Sequence, residues 1–176
     1  MTARLRLEPL SAVHIDDLHQ LSVDPDVRRY LFKDQVIPRQ RVEQMVAASE
    51  AYFAQVGTGF YALVLNQPDA AQHGQFVGFC GLRRFVADER QTELLLGVDP
   101  NIWGRGIGVE AAQAVLQRAF ASTEVAEVVA AADTPNQRSI RVLQKLGMSF
   151  QERREWHGWD TMFYAIAAEE FAQQSA

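Results

Sequence analysis

Apolar and polar positions change period several times along the chain, and each change marks an element. Arg4-Leu5-Arg6-Leu7-Glu8 alternates with period two and stops at Pro9, which predicts a first strand. Ser11 stands where it can cap a helix carrying Ile15, Leu18 and Leu21 on one face. Residues 22–30, around Asp24-Pro25, read as a turn and a short helix. Pro38, a favoured first-turn residue, opens a longer helix with Val42, Met45, Val46, Ser49, Tyr52 and Phe53 on one side, ending near Gly57. Three strand-like runs follow, 59–65, 75–86 and 92–98, joined by a polar loop at 66–74 and a turn at 87–90. Connections this short favour antiparallel neighbours.

The period then switches to that of a helix. Ile107, Ala111, Val115 and Ala119 recur every four residues, with Ala112, Leu116 and Phe120 beside them and Glu110, Gln113 and Gln117 opposite. Residues 128–132, Val-Val-Ala-Ala-Ala, form an uninterrupted apolar run, the mark of a strand covered on both faces. Strand 92–98, the helix and strand 127–132 therefore make a right-handed βαβ unit with parallel strands. A helix over about 136–146 points Ile140, Leu143 and Leu146 inward and stops at Gly147. Residues 149–155 and 161–167 flank His157-Gly158 as a hairpin, and the tail from Ala168 to Ala176 is expected to fray. The sum is a single α+β domain over 1–176, built on a mixed sheet.

Composition narrows the classes. A chain of 176 residues, 48% hydrophobic and 22% charged, suits one globular domain with a sizeable core. Net charge of −5 argues against a nucleic-acid backbone as partner and suits a cationic one. No stretch has the length of a membrane span, and the N-terminus lacks a signal peptide's apolar core, so the expected compartment is the cytoplasm. The lone Cys80 lies in an apolar run and reads as a buried structural thiol. His14, His19 and His73 show no metal-ligand spacing with one another or with Cys80, so no metal is expected.

The chemistry concentrates between strand 92–98 and the helix after it. Trp103-Gly104-Arg105-Gly106-Ile107-Gly108 places three glycines in five residues at a helix N-terminus. Uncovered N–H groups and a positive macrodipole make such a turn a site for phosphate or pyrophosphate, with Arg105 as a charge at its rim. A glycine-rich connection that merely lets strand and helix pack closely meets the same spacing. Val109 stands where a dinucleotide fingerprint needs glycine, and Gly-Lys-Ser/Thr of a P-loop occurs nowhere.

The turn resembles the Gln/Arg-x-x-Gly-x-Gly/Ala signature of the GCN5-related N-acetyltransferases (GNAT), in the variant with Trp at its first position. Val109-Glu110-Ala111 is similar to the Thr-Glu-Ala of the branch that acetylates ribosomal-protein N-termini and some antibiotics. Residues 133–148, DTPNQRSIRVLQKLGM, resemble the family's next block through Asn136, Ser139, Val142, Leu143, Lys145 and Gly147, with Met148 for the usual Phe. Residues 76–82 are similar to its Ile-Gly-x-x-Gly-Leu strand. The resemblance runs from about Arg4 to Ile166, with its specific motifs in 92–148.

The resemblance implies a mostly antiparallel twisted sheet whose one parallel pair splays to hold acyl-CoA, with helices on both faces. It implies acetyl-CoA as co-substrate, its pyrophosphate on the amides of 104–108 and its pantetheine arm along Leu95, Leu96, Gly97 and Val98. In the family the Asn136 position contacts that arm, although Asn136 and Ser139 are also suited to a plain N-cap and first turn. Many relatives protonate the leaving thiolate with a tyrosine where this chain has Leu143, and Ser139 is the substitute the branch suggests.

Glu93, in an otherwise apolar strand, matches a glutamate often found there in the branch and is the candidate base. A partly desolvated carboxylate can take a proton through water, whereas a solvent-facing one has no such role. An α-amine with a pKa of about 8 is roughly one-tenth neutral at pH 7, against only a few in ten thousand for lysine at about 10.4. An N-terminal acceptor therefore needs only a weak base. Tyr30, Phe32, Trp156 and Trp159 are placed by family architecture around the acceptor, although tryptophans at such positions also serve as packing. The expected activity is acetyl transfer to a primary amine, a protein N-terminus or a small molecule, with a homodimer possible. A module that holds acyl-CoA without turnover is the alternative.

Overall fold

The computed structural model describes residues 1–66, 73–86, 88 and 91–174. Its strands are β1 (Leu5–Pro9), β2 (Phe60–Leu65), β3 (Phe76–Arg84), β4 (Thr92–Val98), β5 (Glu127–Asp133), β6 (Ser149–Trp156) and β7 (Trp159–Ala167). The helices are α1 (Ile15–Val23), α2 (Pro25–Leu31), α3 (Arg39–Val56), α4 (Ile107–Ser122), α5 (Gln137–Lys145) and α6 (Ala168–Gln174). One seven-stranded sheet runs β1-β2-β3-β4-β5-β7-β6, and only the β4–β5 pair is parallel. This is the α+β mixed sheet that the periodicity predicts.

Among the described residues two large cores and a small third cluster, Phe85, Val129, Phe163 and Ala165, cover the sheet, and β2 shows how the sequence divides the large ones. Tyr61, Leu63 and Leu65 join the larger core with α4 and α5, while Phe60 and Ala62 point to the other face, under α1, α2 and α3. In β3 the phase slips: Val77 and Cys80, three apart, both face the α4 side. The cause is a bulge, because Leu63 pairs with Gly78 but Val64 pairs with Phe76. Gly78 sits there at φ 149°, and a Cβ on it would lie 2.3 Å from the Gly97 carbonyl oxygen. Only glycine lets β3 and β4 approach this closely.

Termini of the elements follow their local chemistry. Asp24 caps α2 through Oδ1, which accepts from the amides of Asp26 and Val27. Gly57 ends α3 in the left-handed conformation, and His157-Gly158, both at positive φ, make the two-residue turn of the β6–β7 hairpin. Strand β1 includes Pro9, opposite Tyr61, because an edge strand tolerates a missing donor.

The tail departs from expectation. Ala168–Gln174 is a helix, with Glu169 and Glu170 in its first turn, Phe171 against Phe120, and Gln174 donating to the Gly147 carbonyl. The Phe171–Phe120 contact and the Gln174–Gly147 hydrogen bond help to hold a segment whose sequence reads as fraying. The tail's last two residues, most of the 66–74 loop and most of the 87–90 turn lie outside the described residues. Among the described residues, no helix is long and apolar enough to cross a membrane, and no cluster of potential metal ligands occurs.

Candidate active site

The site begins where the sheet comes apart. Strand β3 pairs with β4 along all of 92–98, but β5 pairs with β4 only at Thr92↔Val128 and Glu93↔Val129. Beyond Glu93 the parallel strands part, and a cavity of about 650 Å³ opens between them. Leu94 to Val98 of β4 and Ala130 to Asp133 of β5 line it. Backbone groups of β4 that would complete a ladder with β5 are thereby turned toward open space, available to a ligand.

The glycine turn forms one end of this cavity. After β4, Pro100–Ile102 makes a single 3₁₀ turn capped by Asp99, and the Trp103 indole N–H donates to the Val98 carbonyl at 2.7 Å. Gly104 and Gly106 both take positive φ, and Gly106 opens α4 in the left-handed conformation without a side-chain cap. The first intrahelical bond runs from the Glu110 amide to the Gly106 carbonyl. Among the described residues, no carbonyl or side chain takes the amides of residues 104–109. A 16-residue helix aims its positive end at them. Unpaired amides beside a cavity are the elements of an anion site.

Part of this geometry is held from the N-terminus. Glu110, in the first turn of α4, accepts from Thr2 Oγ1 at 2.5 Å, from the Arg4 amide at 2.9 Å and from Arg4 Nε at 2.6 Å. Arg4 Nη1 donates in turn to the Arg105 carbonyl at 2.7 Å. These hydrogen bonds hold the Glu110 carboxyl below its usual range, although partial burial opposes them. The Arg105 side chain does not line the cavity, whereas Trp103, Gly104, Gly106, Ile107 and Gly108 do.

Glu93 lies on the cavity wall, 6% exposed, so it is not a solvent-facing strand residue. Burial pushes its carboxyl above the usual range, against the opposing pull of Arg83, whose Nε donates to Oε2 at 2.8 Å. Across the cavity, Asn136 caps α5 by accepting from the Ser139 amide at 3.2 Å, so its Oδ1 is engaged and its Nδ2 is left as a donor. Asn136, Ser139 and Leu143 all line the cavity. Cys80 is fully buried, and burial pushes its thiol well above its ordinary range, as befits a structural residue.

The residues placed around the acceptor separate. Tyr30 and Trp156 line the cavity, and Trp156 also packs against Phe85 and Phe163. Phe32 packs instead with the core of α1–α3, and Trp159 stands outside the lining with the Lys33 ammonium 5.1 Å from its ring centre. Several lining residues escape sequence reasoning. Arg138, Arg141 and Lys145 of α5 bring three cations to the wall, and Arg138 stacks on the Trp103 ring at 4.5 Å. Lys33, Asp133 and Thr161 form a polar cluster on another part of it. The helical spacing 138, 141, 145 was available as a signal for the first group. Asp133 closes an apolar run at the C-terminal end of a parallel strand, where open sheets bind ligands. Lys33 carries no such signal.

Comparison with known proteins places this geometry. The family profile described as "Acetyltransferase (GNAT) domain" matches residues 4–149. The uncharacterized N-acetyltransferase p20 of Bacillus licheniformis is 23% identical over 151 residues, 86% of this chain and 81% of that one. Among solved structures, spermidine N-acetyltransferase of Vibrio cholerae, in complex with CoA and spermine, superposes with a TM-score of 0.74 at 13% identity, covering 96% of this chain and 98% of that one. The ribosomal L7/L12 α-N-protein acetyltransferase RimL, in complex with CoA, superposes with a TM-score of 0.77 at 17% identity, covering 94% and 95%. The split parallel pair and the match over most of the chain lead to one conclusion: the protein belongs to the GNAT acetyltransferase family, and it is an N-acetyltransferase.

Proposed function

We propose that the chain moves an acetyl group from acetyl-CoA to a primary amine by direct attack of the amine on the thioester. The observation that carries this reading is the run of unpaired amides at 104–109 opening onto the same cavity as the β4–β5 gap and the buried Glu93. Acetyl-CoA, when bound, supplies the activated acyl carbon and the sulfur leaving group. The amides of the glycine turn hold its diphosphate, with the three α5 cations near enough to the cavity to balance its negative charge. Backbone of Leu95, Leu96, Gly97 and Val98 lies along the arm, and an N–H from this stretch donates to the carbonyl oxygen as charge develops there.

Glu93 takes the proton that the acceptor must lose, directly or through a water. Its raised carboxyl pKa brings it closer to neutral pH and so improves it as a base. Ser139, which lines the cavity, relays a proton from water to the departing sulfur through its hydroxyl, a role Leu143 cannot take. Tyr30 and Trp156 border the acceptor's part of the cavity. The structural neighbours' acceptors, a polyamine and the α-amine of a ribosomal protein, both present an amine, which supports the acceptor class. A cytoplasmic setting, where a lone thiol stays reduced, agrees with this co-substrate.

Isotope-labelled acetyl-CoA presented with a panel of peptides, polyamines, aminoglycosides and amino acids tests the proposal. Transfer to at least one primary amine, with CoA released in equal amount, is the expected result. Saturable binding of acetyl-CoA with no transfer to any acceptor would instead favour a non-catalytic acyl-CoA-binding module.

A further inference from the structure

Asp133 ends β5 with its side chain only 4% exposed, on the cavity wall. A carboxylate so enclosed requires compensation, and the chain supplies it from far away in sequence. The Lys33 ammonium, from the connection between α2 and α3, lies 2.9 and 3.0 Å from the two carboxylate oxygens. Thr161 Oγ1 donates to Oδ1 at 2.8 Å, and the Trp159 ring centre lies 5.1 Å from the ammonium. Two carboxylate oxygens oriented by a hydroxyl, beside an indole face, are what a primary ammonium on an aliphatic chain needs.

The occupant is held at a cost. Lys33 and the following Asp34 both adopt positive φ, 53° and 61°, in a region that L-residues other than glycine rarely visit. Asp34 is tied back to α2 through its amide, which donates to the Arg28 carbonyl, and through an ion pair with the Arg28 guanidinium. The Lys33 side chain stays 29% exposed, whereas that of Asp133 is 4% exposed and reached from the cavity.

We propose that Asp133, Thr161 and Trp159 form a second ammonium-binding subsite for the acceptor, and that Lys33 is a built-in occupant which a cationic acceptor displaces. The proposal rests on the acetyl-transfer reading above and deepens it: the preferred acceptor carries a second ammonium beyond the one that reacts. Register sets the span. Glu93 stands opposite Val129, four residues before Asp133, which at about 3.3 Å per residue is on the order of 13 Å along the strand. A linear diamine or polyamine covers that distance, whereas an acceptor with one amine leaves Lys33 in place.

The test has a binding arm and a kinetic arm. n-Butylammonium is the lysine side chain without its backbone, so it is titrated calorimetrically into the wild type, Lys33→Ala and the Lys33→Ala/Asp133→Asn double variant, with sodium chloride as control. Expected is saturable binding to Lys33→Ala at least tenfold tighter than to the wild type, abolished in the double variant. CoA titrated into each protein reports that the fold and the diphosphate site persist. In the kinetic arm, Lys33→Ala lowers KM for 1,8-diaminooctane several-fold but not that for n-octylamine. Equal butylammonium binding by the wild type and Lys33→Ala, or binding that survives loss of Asp133, would overturn the subsite. So would a Lys33→Ala variant in which kcat and melting temperature fall with no drop in KM, since that is the behaviour of a structural ion pair. Absence of transfer to any amine, with butylammonium binding as expected, would sink the acetyl-transfer reading and leave the ammonium subsite standing.

Discussion

At the scale of single residues, Glu93 carries the most consequence, because its burial has both a catalytic and a thermodynamic reading. Replacing it by Gln removes the proton acceptor, and kcat is expected to fall by about a hundredfold or more, within the usual range for a lost general base. CoA affinity, measured by calorimetry, should hold within roughly threefold, since the diphosphate amides lie beyond the far end of β4. The pH profile gives the sign. Burial raises the Glu93 carboxyl above its ordinary 4.5, so the Glu93 limb of kcat/KM lies above the usual carboxylate range, and in Glu93→Gln it gives way to the acceptor amine's own ionisation at higher pH. Stability follows the same linkage. The folded protein holds this proton more tightly than the unfolded chain, so stability falls as pH rises from the unfolded value through the folded one. Urea titrations of Glu93→Gln against the wild type should therefore show a difference that shifts in the variant's favour from about pH 4.5 upward. Glu93 was legible as a candidate from its place in an apolar strand, but its burial was not. Exposure depends on the partner elements that cover the strand, and no local pattern reports them.

At the scale of elements, most of the framework could be read because period and punctuation agree. Strand β4 has the predicted bounds, Gly57 and Gly147 end their helices, and the His157-Gly158 turn closes the last hairpin. The bulge in β3 and the helical tail were not legible, because each depends on a contact distant in sequence: Gly78 on Gly97, and Phe171 on Phe120. That dependence is testable at the bulge. Gly78→Ala must accommodate φ 149° and a Cβ 2.3 Å from a backbone oxygen, and it is expected to cost more than about 3 kcal/mol in denaturant unfolding. Gly158→Asn, also at positive φ but with no atom within 4 Å of the new Cβ, should cost less than about 1 kcal/mol, since Asn tolerates the left-handed region. Helix α5 offers a second test. Its three cavity-lining cations, of which Lys145 stands in the family block, take their role from the cavity wall that α5 faces, and no local pattern reports that wall. Removing Arg138, Arg141 and Lys145 together should weaken CoA binding by tenfold or more and flatten its dependence on salt, as lost charge–phosphate contacts require.

At the scale of the whole molecule, the chain is two sheet portions, β1–β4 and β5–β7–β6, joined by a single two-residue parallel pairing. The larger core also unites them, with Leu63 and Leu82 of the first portion and Ala130 and Ile166 of the second meeting Leu116 and Val115 of α4, as do the packing of Phe85 on Val129 and Phe163 and the Lys33–Asp133 ion pair. A ligand lying in the gap would contact both portions, and it would bind the folded state alone. Saturating CoA should then raise the melting temperature with ligand concentration, by about 2.7 kcal/mol of added stability at a hundredfold excess over Kd. A general solvent effect would stabilise uniformly, so the location of the change matters as well as its size. Hydrogen exchange separates the two cases. Amides of 94–98 that face the gap should exchange fast without ligand and slow markedly with CoA, while those of the same strand bonded to β3 are already protected and change little. Amides of 104–109 should slow alongside them, because they lack partners among the described residues. If CoA raised the melting temperature yet left both groups of amides unchanged, it would be binding elsewhere, and the break in the sheet would have no part in holding it.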